Sequence, residues 1–241
     1  MVGIRGWLAG PVLMLALLGG AIPATGETPA PTPVDLQLVL AVDSSGSINA
    51  DEFRLQMQGL SAAFRDPRIL EAIRRGPIGA IAVTLIEWSS VEQQHQSIGW
   101  TMVSDEETIV MLADQLAAAP RTIPGGSTSV SDALSYAGRM FAASGFTSPR
   151  RVIDVSGDGS NNSGIPPDSV RDRLVEAGIV INGLAILNDE PNLKDYYAAS
   201  VIGGSGAFVL VAENYESFSE AILGKLITEI AALSGDSLAL R

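Results

Sequence analysis

Asp43-Ser44-Ser45-Gly46-Ser47 stands where the apolar run Leu36-Gln37-Leu38-Val39-Leu40-Ala41-Val42 breaks into small polar residues. A carboxylate and two hydroxyls at alternate positions turn several hard oxygen atoms toward one point. Oxygen donors without nitrogen or sulfur suit Mg2+, Mn2+ or Ca2+ rather than zinc or copper. The same residue types also crowd helix N-caps, so the pentapeptide alone reads equally well as a cap with spare serines.

Two later segments add oxygens. Gly125-Gly126-Ser127-Thr128-Ser129 precedes a helical stripe of Val130, Leu134, Ala137 and Phe141, which puts Thr128 at a helix N-terminus with two glycines leaving room for close approach. Arg151-Val152-Ile153-Asp154-Val155-Ser156-Gly157-Asp158-Gly159 is a second apolar strand breaking into a Gly-rich loop, with Asp158 at the break. Ligands of an open parallel sheet collect in the crevice outside the carboxyl ends of its strands, and all three segments lie on that edge.

The elements that position these loops follow from periodicity. Leu36 opens the first strand. Asn49-Ala50-Asp51-Glu52 has the form of a capping box, and Phe53, Met57, Leu60 and Phe64 mark the buried stripe of the first helix. Gly79 to Trp88 is rich in strand formers, and Gln94 to Val103 returns beside it as an antiparallel edge. Ser104 to Glu107 caps a helix carried by Ile109, Leu112 and Leu116. Pro166-Pro167 opens another that Gly178 ends, and Ile179 to Leu187 is a strand. Leu193 to Ser200 is short and helical, Phe208 to Ala212 forms a last strand, and Tyr215, Phe218, Ile222, Leu226, Ile230 and Leu233 line a long closing helix. This alternation predicts an α/β fold: a doubly wound, mostly parallel, Rossmann-like sheet with one antiparallel edge strand and helices on both faces.

Asp43-x-Ser45-x-Ser47, Thr128 and Asp158 resemble the Asp-x-Ser-x-Ser, Thr and Asp of von Willebrand factor type A domains, over roughly Asp35 to Ala232. The resemblance implies a metal-ion-dependent adhesion site, with those five residues holding Mg2+ or a similar cation, such as Mn2+ or Ca2+, and one position left for a carboxylate of a protein partner. The strand and loop from Val152 to Gly159 are similar to those of uncharacterised secreted bacterial members, which imply no known reaction. The family often has its threonine directly after the glycine pair, whereas Ser127 intervenes here, so Ser127 is the alternative to Thr128. The family usually has Thr or Ser before the third-loop aspartate; Gly157 stands there, with Ser156 one position further back. Asp154, mid-strand, must find a partner or neutralise and is a structural carboxylate, one lying behind the ligands, or a ligand. Trp88 and Ser89 end a strand parallel to the first and rim the crevice or, for Trp88, pack in the core.

Composition agrees with an exported domain. Residues 1–26 read as a secretory signal, with Arg5, an apolar stretch from Trp7 to Leu18 and small residues around Ala24-Thr25-Gly26. The apolar core is shorter than the ~20 residues of a spanning helix; an uncleaved anchor is the alternative. Residues 27–34 form a Pro and Thr-rich linker, residues 35–234 the domain and residues 235–241 a tail. Secretion or the bacterial periplasm is the expected location, with no stable membrane span after signal cleavage. The chain has no cysteine, hence no disulfide and no thiolate metal site. Its net charge is −12; without Arg5, the lone charge of the first 26 residues, 14 basic and 27 acidic residues leave −13. Such a surface repels phosphate backbones, so nucleic acid is not an expected partner.

Other reactive residues lack company. His95, the only histidine, sits among polar residues with no nucleophile placed beside it, which leaves a Ser-His-Asp hydrolase unsupported. Gly203-Gly204-Ser205-Gly206 lacks the lysine of a phosphate loop. The sequence therefore predicts a secreted, metal-dependent protein-binding module with no catalytic residues. A metal-assisted hydrolase on the same ion and a structural domain binding no metal are the alternatives.

Overall fold

The computed structural model describes residues 2–3 and 29–232 of the 241. Nearly all of the expected leader and the whole of the tail at 235–241 lie outside the described residues. The chain divides into residues 1–30 and 31–241, and the architecture below belongs to the second unit.

Chain order runs β1 (Thr32–Pro33), β2 (Leu36–Asp43), α1 (Ala50–Arg65), α2 (Pro67–Arg74), β3 (Ile81–Trp88), β4 (Gln94–Val103), α3 (Glu106–Ala118) and α4 (Val130–Met140). It continues with β5 (Phe146–Thr147), β6 (Arg150–Gly157), α5 (Pro167–Glu176), β7 (Ile179–Ile186), α6 (Leu193–Tyr196), β8 (Val209–Ala212) and α7 (Phe218–Ala231). Six strands make one sheet in the order β4-β3-β2-β6-β7-β8, parallel except for β4, which runs against β3. The chain winds outward from β2 to one edge, returns to β6 and winds outward to the other. The order therefore reverses between β2 and β6, where doubly wound sheets open a crevice at their carboxyl ends.

β2 and β3 are buried at all eight positions, as strands covered on both faces must be, and so read as continuous apolar runs. Leu36, Leu38, Leu40 and Val42 pack under α1, α2, α3 and α7, while Val39 and Ala41 pack with Val130, Leu134, Val170 and Tyr197 of the opposite layer. The capping box of α1 is closed: Asn49 Oδ1 accepts from the N–H groups of Asp51 and Glu52, and Glu52 Oε2 accepts from Asn49 N–H at 2.8 Å. This fixes the N-cap of α1 two residues past Ser47.

Two features lie beyond the sequence expectations. α2 fills a stretch assigned no element there; Asp66 caps it through Arg68 N–H and Pro67 sits in its first turn, where a missing N–H costs nothing. Thr32–Pro33, inside the stretch read as a linker, pairs in parallel with Phe146–Thr147 as a separate two-stranded sheet.

Candidate metal centre

β2 delivers Asp43 and β6 delivers Asp158 to the two sides of the switch point. Asp43 is fully buried and its Oδ1 accepts from Ser45 N–H at 2.7 Å, which folds the first loop back on itself. Ser45 Oγ lies 3.3 Å from Ser47 Oγ, and Ser47 Oγ donates to Asp158 Oδ1 at 2.8 Å. The two carboxylates are thus linked through the Ser45 amide and the Ser45 and Ser47 hydroxyls of one loop, 111 residues of chain separating Ser47 from Asp158.

The Gly-rich second loop is stitched to both neighbours. Gly46 N–H donates to Gly126 O at 2.8 Å, and a Cβ on Gly46 would come within 2.9 Å of that same oxygen. Gly126 has φ +135°, a conformation L side chains rarely adopt, and Ser89 and Ser90 Oγ fill the space a side chain would need. Thr128 N–H donates to Asn162 Oδ1, while Asn162 and Ser163 N–H donate back to Thr128 O. Thr128 Oγ1 lies 3.8 Å from the point a Cβ on Gly159 would take, one residue past Asp158. Thr128 precedes Ser129, the N-cap of α4, as its place in the sequence suggests. Ser127 Oγ is spent elsewhere, 3.0 Å from Ser90 Oγ and 2.9 Å from Ser163 Oγ.

Of the other candidates, Trp88 is fully buried in the core. Ser89 is equally buried, its hydroxyl between Gly125 O and Ser127 O, so it braces the second loop from beneath. Ser156 is buried within β6, two residues before Asp158. Asp154 is held on the α7 side: Lys225 Nζ lies 2.6 Å from its Oδ1 and 2.6 Å from Glu229 Oε1, and Asn182 Nδ2 donates to that glutamate oxygen at 2.8 Å. Two carboxylates share one ammonium there. Burial first, and the Glu229 charge second, push Asp154 up to about 7.

Gly157 explains a departure noted in the sequence. A Cβ at this position would stand 2.8 Å from Asp43 Oδ2 and 2.8 Å from Tyr197 Oη, so the Ser or Thr usual in the family has no room beside this aspartate and this tyrosine. Four residues that pattern reading passed over also build the centre. Tyr215 Oη donates to Asp158 Oδ2 at 3.0 Å. Tyr197 Oη is buried against the Asp43 side. The Arg121 guanidinium donates to Ser44 O at 3.0 Å, Ser45 O at 3.1 Å and Ile123 O at 3.0 Å, pinning the first loop. Buried Glu87 accepts from Thr122 and Ile123 N–H and so holds the segment that carries Arg121.

The electrostatics ask for a cation. Asp43 is pushed from 3.8 up to about 7, first by burial and then by the charge of Asp158, against the opposing Ser45 bonds and Arg121. Asp158 is raised too, by burial, against hydrogen bonds from Ser47 and Tyr215. Asp43 Oδ2 is buried with no hydrogen-bond partner. A buried, unpaired carboxylate oxygen beside a second carboxylate is costly unless positive charge joins it. Two carboxylates and three hydroxyls, Ser45, Ser47 and Thr128, fit a hard divalent ion. Among the described residues no group of three or more His, Cys, Asp or Glu gathers at one point; here hydroxyls make up the remaining donors.

Oxygen loops gathered at the switch point of such a sheet define a von Willebrand factor type A fold, and solved structures agree. Proximal thread matrix protein 1 from the mussel byssus aligns with TM-score 0.59 at 17% identity, over 82% of this chain and 46% of that one. A second structure of that protein, described as having a zinc-occupied MIDAS motif (the metal-ion-dependent adhesion site), gives 0.57 at 15% over 85% and 49%. A von Willebrand factor type A structure from Catenulispora acidiphila gives 0.54 at 17% over 84% and 43%. The chain spans about half the length of the mussel protein. Residues 33–234 match the family described as "Protein of unknown function (DUF1194)", and the chain belongs to that family. No curated protein matches it.

Proposed function

We propose that this chain is an exported, metal-dependent protein-binding module in which Asp43, Ser45, Ser47, Thr128 and Asp158 hold Mg2+, or Mn2+ or Ca2+, for an acidic side chain of a partner. The observation that carries the reading is the buried, partnerless Oδ2 of Asp43 beside Asp158 at the switch point of the sheet. A divalent ion there supplies a positive point that takes an Asp or Glu oxygen from another protein. Ser47 and Gly46 are exposed, so the first loop faces solvent beside the buried Asp43. The mussel structure with zinc at its MIDAS motif supports metal occupancy in this fold, although the all-oxygen donor set here favours harder ions.

A binding role rather than hydrolysis rests on the surroundings of the centre. His95 lies exposed on the edge strand β4, and the carboxylates at the crevice floor are the ones a cation would engage. Export rests on the leader-like residues 1–26; no helix among the described residues is long and apolar enough to cross a membrane. Titration calorimetry of the protein with Mg2+, followed by chelator-sensitive capture of an Asp-bearing peptide, tests the reading. Wild type should bind both and Asp43→Ala neither. Peptide capture that survives chelation would refute it, as would the absence of metal heat in wild type.

A further inference from the structure

The rim of the crevice has its own chemistry. Glu190, from the segment between β7 and α6, accepts through Oε1 from Ser160 N–H at 3.0 Å and lies 3.1 Å from Ser160 Oγ. The same oxygen is 3.7 Å from the Cβ position of Gly159, the point that Thr128 Oγ1 approaches at 3.8 Å. Glu190 therefore overhangs the third loop on the side of the ligand threonine. Asp189 is its exposed neighbour. Across the crevice Glu52 is anchored to Asn49 N–H, two residues beyond Ser47.

None of these three carboxylates takes part in an ion pair among the described residues. Arg121, the cation nearest the loops in sequence and contact, spends its guanidinium on backbone oxygens behind the first loop. Asp43 and Asp158 balance a divalent ion, which leaves three carboxylates around the mouth without an ion-pair partner among the described residues. They sit on residues adjoining the ligand loops, and charges act on one another over a screening length of about 8 Å at physiological salt. A partner surface rich in acids would meet the ion only against this repulsion, and complementary charge is what selects partners at such a mouth.

We propose that the partner presents its metal-seeking carboxylate from a basic surface, with lysine or arginine side chains flanking it to meet Glu52, Asp189 and Glu190. The proposal rests on the metal-dependent reading above, and it names the kind of protein surface that reading admits.

Two sensor-immobilised peptides test it, Gly-Lys-Gly-Asp-Gly-Lys-Gly and the same sequence with glutamine for both lysines, each capped at both ends and read at saturating Mg2+ in 50 mM salt. Exposed pairs are worth up to about 1 kcal/mol each, so the lysine peptide should bind wild type roughly tenfold tighter, the preference falling to about twofold in 0.5 M salt. In Glu52→Gln/Asp189→Asn/Glu190→Gln, whose amide oxygens keep the acceptor positions, the preference should vanish while thermal unfolding shows the variant folded. Equal, Mg2+-dependent binding of both peptides by wild type would overturn the proposal and leave the metal-carboxylate reading standing. Metal heat with no peptide binding would overturn both. Lysine-peptide binding that persists in chelator would mark simple charge attraction and overturn the proposal. So would a second Mg2+ per chain that the triple variant loses, because the rim would then be holding a cation itself.

Discussion

Asp43→Asn should stabilise the metal-free protein at alkaline pH while abolishing its metal site. In the folded, metal-free chain the Asp43 carboxyl titrates at about 7 against 3.8 ordinarily. Between those values the folded state holds a proton that the unfolded chain has released, so stability is full below pH 4 and is lost as pH rises to about 7. The whole loss is about 4 kcal/mol at most, at 1.36 kcal/mol per pH unit. Asparagine keeps the Oδ1 acceptor for Ser45 N–H and removes the charge that burial and Asp158 oppose. Allowing for relaxation, the variant should gain about 2 kcal/mol at pH 8, or roughly 4–8 °C for a domain of this size. At pH 5 only about the first pH unit of the window between 3.8 and about 7 has been crossed, so the gap between the two proteins should shrink to about a third of its value at pH 8, roughly 1.5–3 °C. Asp154 shifts in the same sense but is common to both proteins, so the difference between them isolates Asp43. Calorimetric melts in EDTA at pH 5 and pH 8 supply the measurement. A variant less stable than wild type at pH 8 would refute the reasoning that a repelled, unpaired carboxylate occupies the crevice floor.

Other substitutions probe the frame around it. Lys225→Met strands Asp154 and Glu229 without their shared ammonium and should cost about 3–5 kcal/mol by denaturant titration, with much of that recovered on adding Asp154→Asn and Glu229→Gln. Gly157→Ala places a methyl 2.8 Å from Asp43 Oδ2 and Tyr197 Oη; it should cost about 1–3 kcal/mol and weaken Mg2+ binding in calorimetry, because Asp43 has to move. Tyr215→Phe removes the donor to Asp158 Oδ2 and should cost about 1–2 kcal/mol of stability in the metal-free protein.

Local pattern carried the elements whose signals are local. Alternating runs and caps place β2, β3, β4, α1, α3 and β7 within a residue or two, because a both-sides-buried strand and a capped amphipathic helix declare themselves within ten residues. The three oxygen loops are legible for a related reason: strand ends, glycines and hydroxylic residues mark them, and the alternation of elements brings them to one edge. α2 escaped because its eight residues follow α1 after a single residue, so the stretch past Phe64 is assigned no element although Asp66-Pro67 makes a fresh start. β1 and β5 are two residues each, and one is half proline. The supporting residues were illegible because their partners are distant. Tyr215 reads as one more apolar position before α7 although its hydroxyl reaches Asp158. Lys225, beside Leu226 in an amphipathic helix, reads as solvated but is fully buried against Asp154, 71 residues away in sequence. Arg121 gives no hint that its guanidinium braces a loop 76 residues earlier.

Anomalous scattering from a crystal of the protein grown with saturating Mn2+ would show whether the crevice holds a cation. One strong peak should stand in the crevice between β2 and β6, with oxygens of Asp43, Ser45, Ser47, Thr128 and Asp158 around it, directly or through water. An empty crevice at saturating Mn2+, with Asp43 Oδ2 still partnerless, would contradict the proposed metal site.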